Sequence, residues 1–399
     1  MSTLGVVGAV VVLVASIMLH EAGHFLTAKH YGMKATRFFL GFGPTLWSVH
    51  RGETEYGVKA IPAGGFVKIV GMTPLEDIAP GDEGRAFYLQ PARQRAVVLS
   101  AGSIVHIVIA LLLTYFVLVF VGDFGAGRIA VVVDAKPQCV ATDPKHPACK
   151  PSDPPSPSIG RLREGDKIVS ADGARITATD GLGPHLHVGQ PVTLGVVRAG
   201  RHITVTVTPI GVPQTDKGKT TTVARIGVEL AAQNDPPSVG ALAAVPKTFS
   251  TMGEYLSETV QGLGRIPATI DDVLSGRQRG PNDVGSVVGA ARVGGQVAGN
   301  AGLPVSIRLG EFLLLMAGLN FFIGVFNMLP LLPLDGGHVA ILAFEEGRSR
   351  LYRAVGRRDP GRVDLNKVMP VTYAVFVAIV AMSVILLYAD IFRPINLNG

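Results

Sequence analysis

Charge is what this chain has least of. Asp, Glu, Lys and Arg make up 17% of the 399 residues while 48% are hydrophobic, and the apolar residues are gathered in blocks, without helical or strand periodicity. Soluble domains carry about 25% charged residues, so the deficit argues against a water-soluble chain and for an integral membrane protein. Lys and Arg are also missing ahead of the first apolar run, and no cleavage-like end follows it. The pattern differs from that of a secretory signal peptide, and the segment is expected to stay in the mature protein. Tandem repeats are absent. So is a true phosphate loop: Gly218-Lys219-Thr220 has the ending of one, but Pro213 stands where the first glycine belongs, which excludes an ATP-driven machine.

A membrane-spanning helix needs about 20 mostly apolar residues. Four stretches qualify, roughly Leu4 to Ala28, Ala96 to Val121, Phe312 to Leu334 and Pro370 to Ala389. Basic residues crowd the loop after the first span (Lys34, Arg37, Arg51, Lys59, Lys68, Arg85, Arg93, Arg95) and the loop after the third (Arg348, Arg350, Arg353, Arg357, Arg358, Arg362, Lys367). Because short basic loops stay in the cytosol, both are expected there, with the termini and the long segment between spans two and three outside the plasma membrane. The net charge of +6 then needs no nucleic acid to explain it. Cys139 and Cys149, the chain's two cysteines, fall in the outer segment, where an oxidising compartment permits a disulfide. Two free thiols are the alternative.

Between the first two spans, "GFGPTLWSVHRGETEYGVKAIPAGGFVKIVGM" alternates β-formers with turn signals at Arg51-Gly52 and Pro62 to Gly65, the pattern of a β-hairpin or small sheet. Outside, "GRIAVVVD" reads as a strand, "PKHPACKPSDPPSPS" as a Pro-rich loop, "LREGDKIVSADGARI" as turn, strand and turn, and "QPVTLGVVRAGRHITVTVTP" as a hairpin. The expected fold class is an α-helical polytopic membrane protein of about four transmembrane helices, with a membrane-associated β-hairpin or sheet and an extracytoplasmic, mostly-β domain. The expected divisions are 1–122, 123–232 (the β domain), 233–309 (surface or re-entrant amphipathic helices) and 310–399.

"LHEAGHF" closes the first span. His20 and His24, four apart on a helix, share a face and can bind one metal ion, while Glu21 sits one step round. This is HExxH, in which two histidines hold zinc and the glutamate activates water. Polar residues snorkelling to the interface are the plainer reading, but ionisable groups within a span are costly and by default suggest function. A catalytic zinc needs a third protein ligand and an open position. Spans one and three run in the same direction, so the candidate must lie at the inner end of span three. There "FNMLPLLPLDGGH" holds one carboxylate, Asp335, with Pro330, Pro333, Gly336 and Gly337 to break the helix and turn it inward. A helix stop with an exposed aspartate is the alternative.

These residues resemble the site-2 protease intramembrane metalloproteases, peptidase family M50. His20-Glu21-Ala22-Gly23-His24 is similar to the motif of their first core helix, and Asn327 to Gly337 ("NMLPLLPLDGG") to that of the second. The resemblance implies one catalytic Zn2+ held by His20, His24 and Asp335, with Glu21 as base. It also implies that Asn327 assists near the substrate carbonyl; an interhelical hydrogen bond is equally open. Gly41-Phe42-Gly43 and "PAGGFVK", with Gly64 and Gly65, resemble the family's membrane-associated β-hairpin, an expected substrate-binding element or a plug of the site. "LREGDKIVSADG" resembles a PDZ domain, which either recognises peptides or is a plain folding module. The likeness runs over nearly the whole chain and is strongest to the RseP and actinobacterial Rip type with one PDZ domain. Implied substrates are single-span membrane proteins already trimmed outside, such as anti-sigma factors.

Two departures stand out. On span two the family often has Gly-Pro-x-x-Asn, whereas Gly102-Ser103-Ile104-Val105-His106 puts a histidine in the membrane, to bind metal, line a water path or sit hydrogen-bonded in the core. The loop around Cys139 and Cys149 lengthens the PDZ-like region. Rival functions are a zinc transporter, which would need polar residues along a route through the bilayer, and a membrane-anchored PDZ adaptor, which leaves Glu21 and Asp335 unexplained.

Overall fold

The computed structural model describes residues 3–72, 76, 78–126, 129–135, 138–140, 150, 153–176, 181–216, 219–234, 236–277, 285–300 and 303–392. The chain divides into two compact units, one made of residues 1–117, 240–300 and 308–399, the other of 118–239 and 301–307.

Among the described residues of the whole chain, four helices are long and apolar enough to cross a membrane: α1 (Thr3–His30), α2 (Ala92–Phe120), α5 (Val305–Asn327) and residues 367–392 of α7 (Leu365–Phe392). The third is shorter at its C-terminal end than the apolar run suggests. Leu329, Leu331, Leu332 and Leu334 continue the run, but Pro330 has no N–H to give a helix and disfavours helical geometry in the residue before it. The helix therefore stops at Asn327.

Glycines set how closely these helices approach. A Cβ on Gly23 of α1 would lie 2.9 Å from the Ala101 carbonyl oxygen of α2, and one on Gly324 of α5 would lie 3.0 Å from the Ser103 oxygen. Without a hydrophobic force between helices in lipid, such small-residue crossings are where backbones pack. Two further helices, α3 (Ala241–Ser275) and α4 (Val287–Gly299), belong to the first unit. α4 packs on α1, where a Cβ on Gly5 would strike that of Ala298. Its first turn is capped by Asp390 of α7, which accepts from the Ser286 and Gly289 amides at 2.5 and 3.2 Å.

Between α1 and α2 run two long, bent strands, β1 (Ala35–Arg51) and β2 (Thr54–Ile69), joined at Gly52. Phe38 pairs with both Val67 and Tyr56, and Leu40 with both Gly65 and Val58. The first half of β1 is thus clasped between the two halves of β2, while residues 45–51 pair with 54–59. The bends fall at Gly41 and Gly43, both with φ above +80°, and at Gly64 with φ +136°. They meet there: a Cβ on Gly41 would lie 2.6 Å from the Ile61 oxygen, and Phe42 stacks on Phe66.

The hairpin turn is tied to its surroundings by charge. Glu53 takes two hydrogen bonds from Arg85, at 2.6 and 2.9 Å, and an ion pair from Lys29 at 3.1 Å. The Arg85 guanidinium, aided by Lys29, holds the Glu53 carboxyl down to about 2. A folded-state pKa below the unfolded one contributes stability above the unfolded value, near 4.5, and loses it as pH falls towards 2. The unaltered chain is therefore expected to outlast Glu53→Gln in thermal unfolding at pH 6, with the gap narrowing steadily below pH 4.5. A gap independent of pH would show that the pair contributes nothing.

The last helix before α7, α6 (Asp335–Ala354), brings the two basic loops together. Arg362 donates to the Tyr88 carbonyl and lies over its ring, and Arg95 pairs with the buried Glu345.

The second unit is mostly β. Its main sheet has the order β10-β3-β4-β6-β7, with β5 on β4; the strands are β3 (Ile129–Ala135), β4 (Lys167–Ala171), β5 (Ala174–Arg175), β6 (Val192–Arg198), β7 (Arg201–Val207) and β10 (Glu229–Asn234). Alternation along β6 buries Val192, Leu194 and Val196 against Val133, Leu162 and Ile168. Burial pushes the Asp166 carboxyl up, but a two-pronged bond from Arg198 and the Arg163 amide at 2.7 Å hold it below the usual carboxylate range. β8 (Ile210–Asp216) and β9 (Lys219–Arg225) form a separate ladder that the sequence reading does not anticipate. The pseudo-phosphate-loop residues Lys219 and Thr220 begin β9. Cys139 is buried and bridges to Pro155, while Cys149 and Gly218 lie outside the described residues.

Candidate metal centre

α1 stays helical through the polar end of its span, so His20 and His24 lie one turn apart and edge to face, with ring centroids 4.8 Å apart. Asp335 arrives from the break after α5. Met328 to Leu334 form tight turns, and the chain then folds back so closely that a Cβ on Gly336 would lie 2.2 Å from the Met328 carbonyl, and one on Gly337 would lie 2.6 Å from the Leu332 nitrogen. Only glycine fits both places. The fold-back sets Asp335 in the first turn of α6, where the positive end of a helix favours a carboxylate. Asn327 donates its amide to Asp335 Oδ2 at 2.6 Å.

The three ligand atoms form a compact triangle. His20 Nε2 and His24 Nε2 are 3.2 Å apart, and Asp335 Oδ2 lies 3.5 Å from the first and 3.3 Å from the second. A tetrahedral zinc with bonds of about 2.0–2.1 Å would have ligand–ligand edges of roughly 3.3–3.4 Å, so the spacing fits. The donor chemistry fits as well. His24 Nδ1 is 2.6 Å from the Val98 carbonyl oxygen, which can only accept, so in the neutral ring the proton sits on Nδ1 and the lone pair on Nε2. Lone pairs from a histidine and a carboxylate converging in this way call for a cation. Among the described residues this trio is the one group of such side chains arranged to hold a metal.

Glu21 is not part of the triangle but lies close enough to His24 and Asp335 to feel both. β2 runs beside it: a Cβ on Gly65 would lie 3.1 Å from Glu21 Cγ and 3.1 Å from the sulfur of Met18. Of the five glycine and phenylalanine positions expected to bind substrate, Gly65 is the one set directly against Glu21. Gly41, Phe42, Gly43 and Gly64 form the bend, with Phe42 half exposed. Among the described residues no strand pairs with the outer edge of the 65–69 segment.

The family model for peptidase family M50 matches residues 8–357. The chain belongs to peptidase family M50. Like other members it is an intramembrane zinc metalloprotease. It is 35% identical over 404 residues to the zinc metalloprotease Rip1 of Mycobacterium tuberculosis, covering 98% of each chain, and 34% identical to Rip1 of Mycolicibacterium smegmatis over 99% and 98%. The metalloprotease MmpA of Caulobacter vibrioides is 28% identical over 86% and 87%.

Two features of this candidate centre escape a motif reading, the Val98 carbonyl and Asn320, and a third, Gly102, is visible in its motif without its role against the histidine rings. A Cβ on Gly102 would lie 2.5 Å from both His20 Cε1 and His24 Nε2, so a bare backbone forms the α2 side of the site. Asn320 bonds His106 at 2.8 Å. The available signal was spacing: Val98, Gly102 and His106 follow at intervals of four, one stripe of a helix.

Proposed function

We propose that His20, His24 and Asp335 hold the catalytic zinc of this protease, that Glu21 is its general base, and that its substrates are single-span membrane proteins already trimmed outside the membrane, of the anti-sigma-factor kind. The observation that carries the ligand assignment is the triangle of 3.2, 3.3 and 3.5 Å edges, drawn from chain segments more than 300 residues apart. When bound, zinc supplies Lewis-acid polarisation of the scissile carbonyl and a water acidified towards about 7. Glu21 takes the proton from that water and returns it to the leaving amine. Asn327 keeps the Asp335 carboxylate oriented and is the amide assigned to the scissile carbonyl's surroundings.

A transmembrane helix hides its backbone, so a substrate must unwind to be cut. The edge of residues 65–69, where Glu21 meets the Val67 amide and no described strand pairs, suits an extended segment held by strand addition, with Gly41-Phe42-Gly43 and Gly64 shaping the bend. The basic loops and the metal centre are assigned to the cytosolic side of the plasma membrane, supported by the Arg362–Tyr88 and Arg95–Glu345 contacts that join those loops at one end. The division into 1–122, 123–232, 233–309 and 310–399 follows from this. The mostly-β unit is then an extracytoplasmic PDZ-like domain that screens substrates by their outer portion, and Cys139 and Cys149 are its disulfide.

The test is cleavage of a single-span peptide by the detergent-purified chain. Asp335→Ala is expected to weaken zinc binding by more than the roughly 10- to 100-fold that loss of a residue behind a ligand costs, and to abolish cutting. Unchanged zinc content in that variant would remove Asp335 from the ligand set.

A further inference from the structure

The two histidines of the centre are steadied in different ways. His24 is held by the Val98 carbonyl through its outer nitrogen, the usual device for fixing a ligand imidazole. His20 has no bond of that quality: its Nδ1 is buried beside the Gly102 backbone with no partner in good hydrogen-bond geometry. What lies against it is another ring, His106 of α2, with centroids 5.1 Å apart and planes tilted by 43°.

His106 is 1% exposed and is itself anchored. Its Nδ1 is 2.8 Å from Asn320 Oδ1, and the Asn320 amide nitrogen donates to the Met316 carbonyl at 2.8 Å. Because that nitrogen is committed to a carbonyl, the Asn320 oxygen must accept and His106 Nδ1 must donate. The anchor is therefore directional, and it fixes the plane in which the His106 ring lies. Asn320 is fully buried on α5, seven residues before Asn327, so two helical turns put both amides on one face. That face steadies Asp335 through Asn327 and reaches His20 through His106.

We propose that His106, locked by Asn320, is the positioning residue of the metal ligand His20, supplying by ring packing the support that His24 draws from a well-formed hydrogen bond. The stripe Val98, Gly102 and His106 then serves the histidine pair as a unit: a carbonyl for His24, clearance for both rings, and a wall for His20. The proposal rests on the assignment of His20, His24 and Asp335 as zinc ligands.

The test uses the full chain in detergent, with zinc affinity measured by competition against a chromophoric chelator and ligand geometry by the visible bands of the cobalt-substituted protein. His106→Ala and Asn320→Leu should each weaken zinc 10- to 100-fold, the range for residues behind a metal ligand, and each should shift the cobalt bands. Wild-type affinity and bands in either variant would overturn the proposal. If His106→Ala does not fold, Asn320→Leu, close in shape to the residue it replaces, decides alone. His24→Ala is the control: zinc retained there would overturn the ligand assignment instead, a result separate from the behaviour of His106.

Discussion

Gly102→Ala is expected to cost the protein its zinc and its proteolysis together. The added methyl would sit 2.5 Å from His24 Nε2 and 2.5 and 2.6 Å from Cε1 and Nδ1 of His20, closer than any carbon approaches a non-bonded atom. The rings have no easy retreat. His24 is pinned to Val98, and His20 is backed by His106. α2 cannot slide away either, since its neighbours meet it at Gly23 and Gly324 with no spare room. A displacement of about 1 Å at a reacting group costs on the order of 10²-fold in rate, and here both histidines of the candidate centre would move at once, so activity should fall by about 10³-fold or more. Overpacking of this kind also destabilises by about 1–3 kcal/mol, which leaves a folded but metal-poor protein. Metal content by mass spectrometry, beside cleavage of a single-span peptide, reads both effects. A zinc-loaded, active Gly102→Ala form would mean that the histidine rings do not lie against α2.

Glu21→Gln is expected to separate what Gly102→Ala joins. Glu21 stands outside the ligand triangle, so its loss should leave zinc in place. An amide has almost the same shape as the carboxylate but cannot take a proton, and removal of a general base costs about 10²–10⁴-fold in rate. The variant should therefore hold one zinc per chain while cutting on the order of 10³-fold more slowly. Turnover at the normal rate would exclude Glu21 as the base. The same form offers a route to natural substrates, because a loaded but inactive protease retains what it binds.

The candidate centre was legible in the sequence because its chemistry is costly in a membrane. His20, Glu21 and His24 at helical spacing, and a lone carboxylate among Pro330, Pro333, Gly336 and Gly337, have few uses at the end of an apolar run. Four candidate spans could be read from apolar length, but the C-terminal end of α5 could not be placed that way. Hydropathy carries Leu329 to Leu334 into the span, and only the missing N–H of Pro330 and the fold-back at Gly336 end the helix. The β8 and β9 ladder was hidden for the opposite reason. Its strands are polar and threonine-rich, and Pro213 discourages a strand reading unless the strand lies at an edge. His106 was visible as an anomaly, but its partner was not, since nothing local links it to an asparagine 214 residues away. The Val98 carbonyl is invisible in principle, because every residue carries one.

At Gly23, Gly102 and Gly324 the helices around the candidate metal centre meet through bare peptide. The walls there are main chain, which selection or design can only thicken, never trim. Tolerance to replacement should therefore run backwards from the usual rule: broad where bulky side chains such as Leu46 and Trp47 face outward, and narrowest where the residue contributes a single hydrogen.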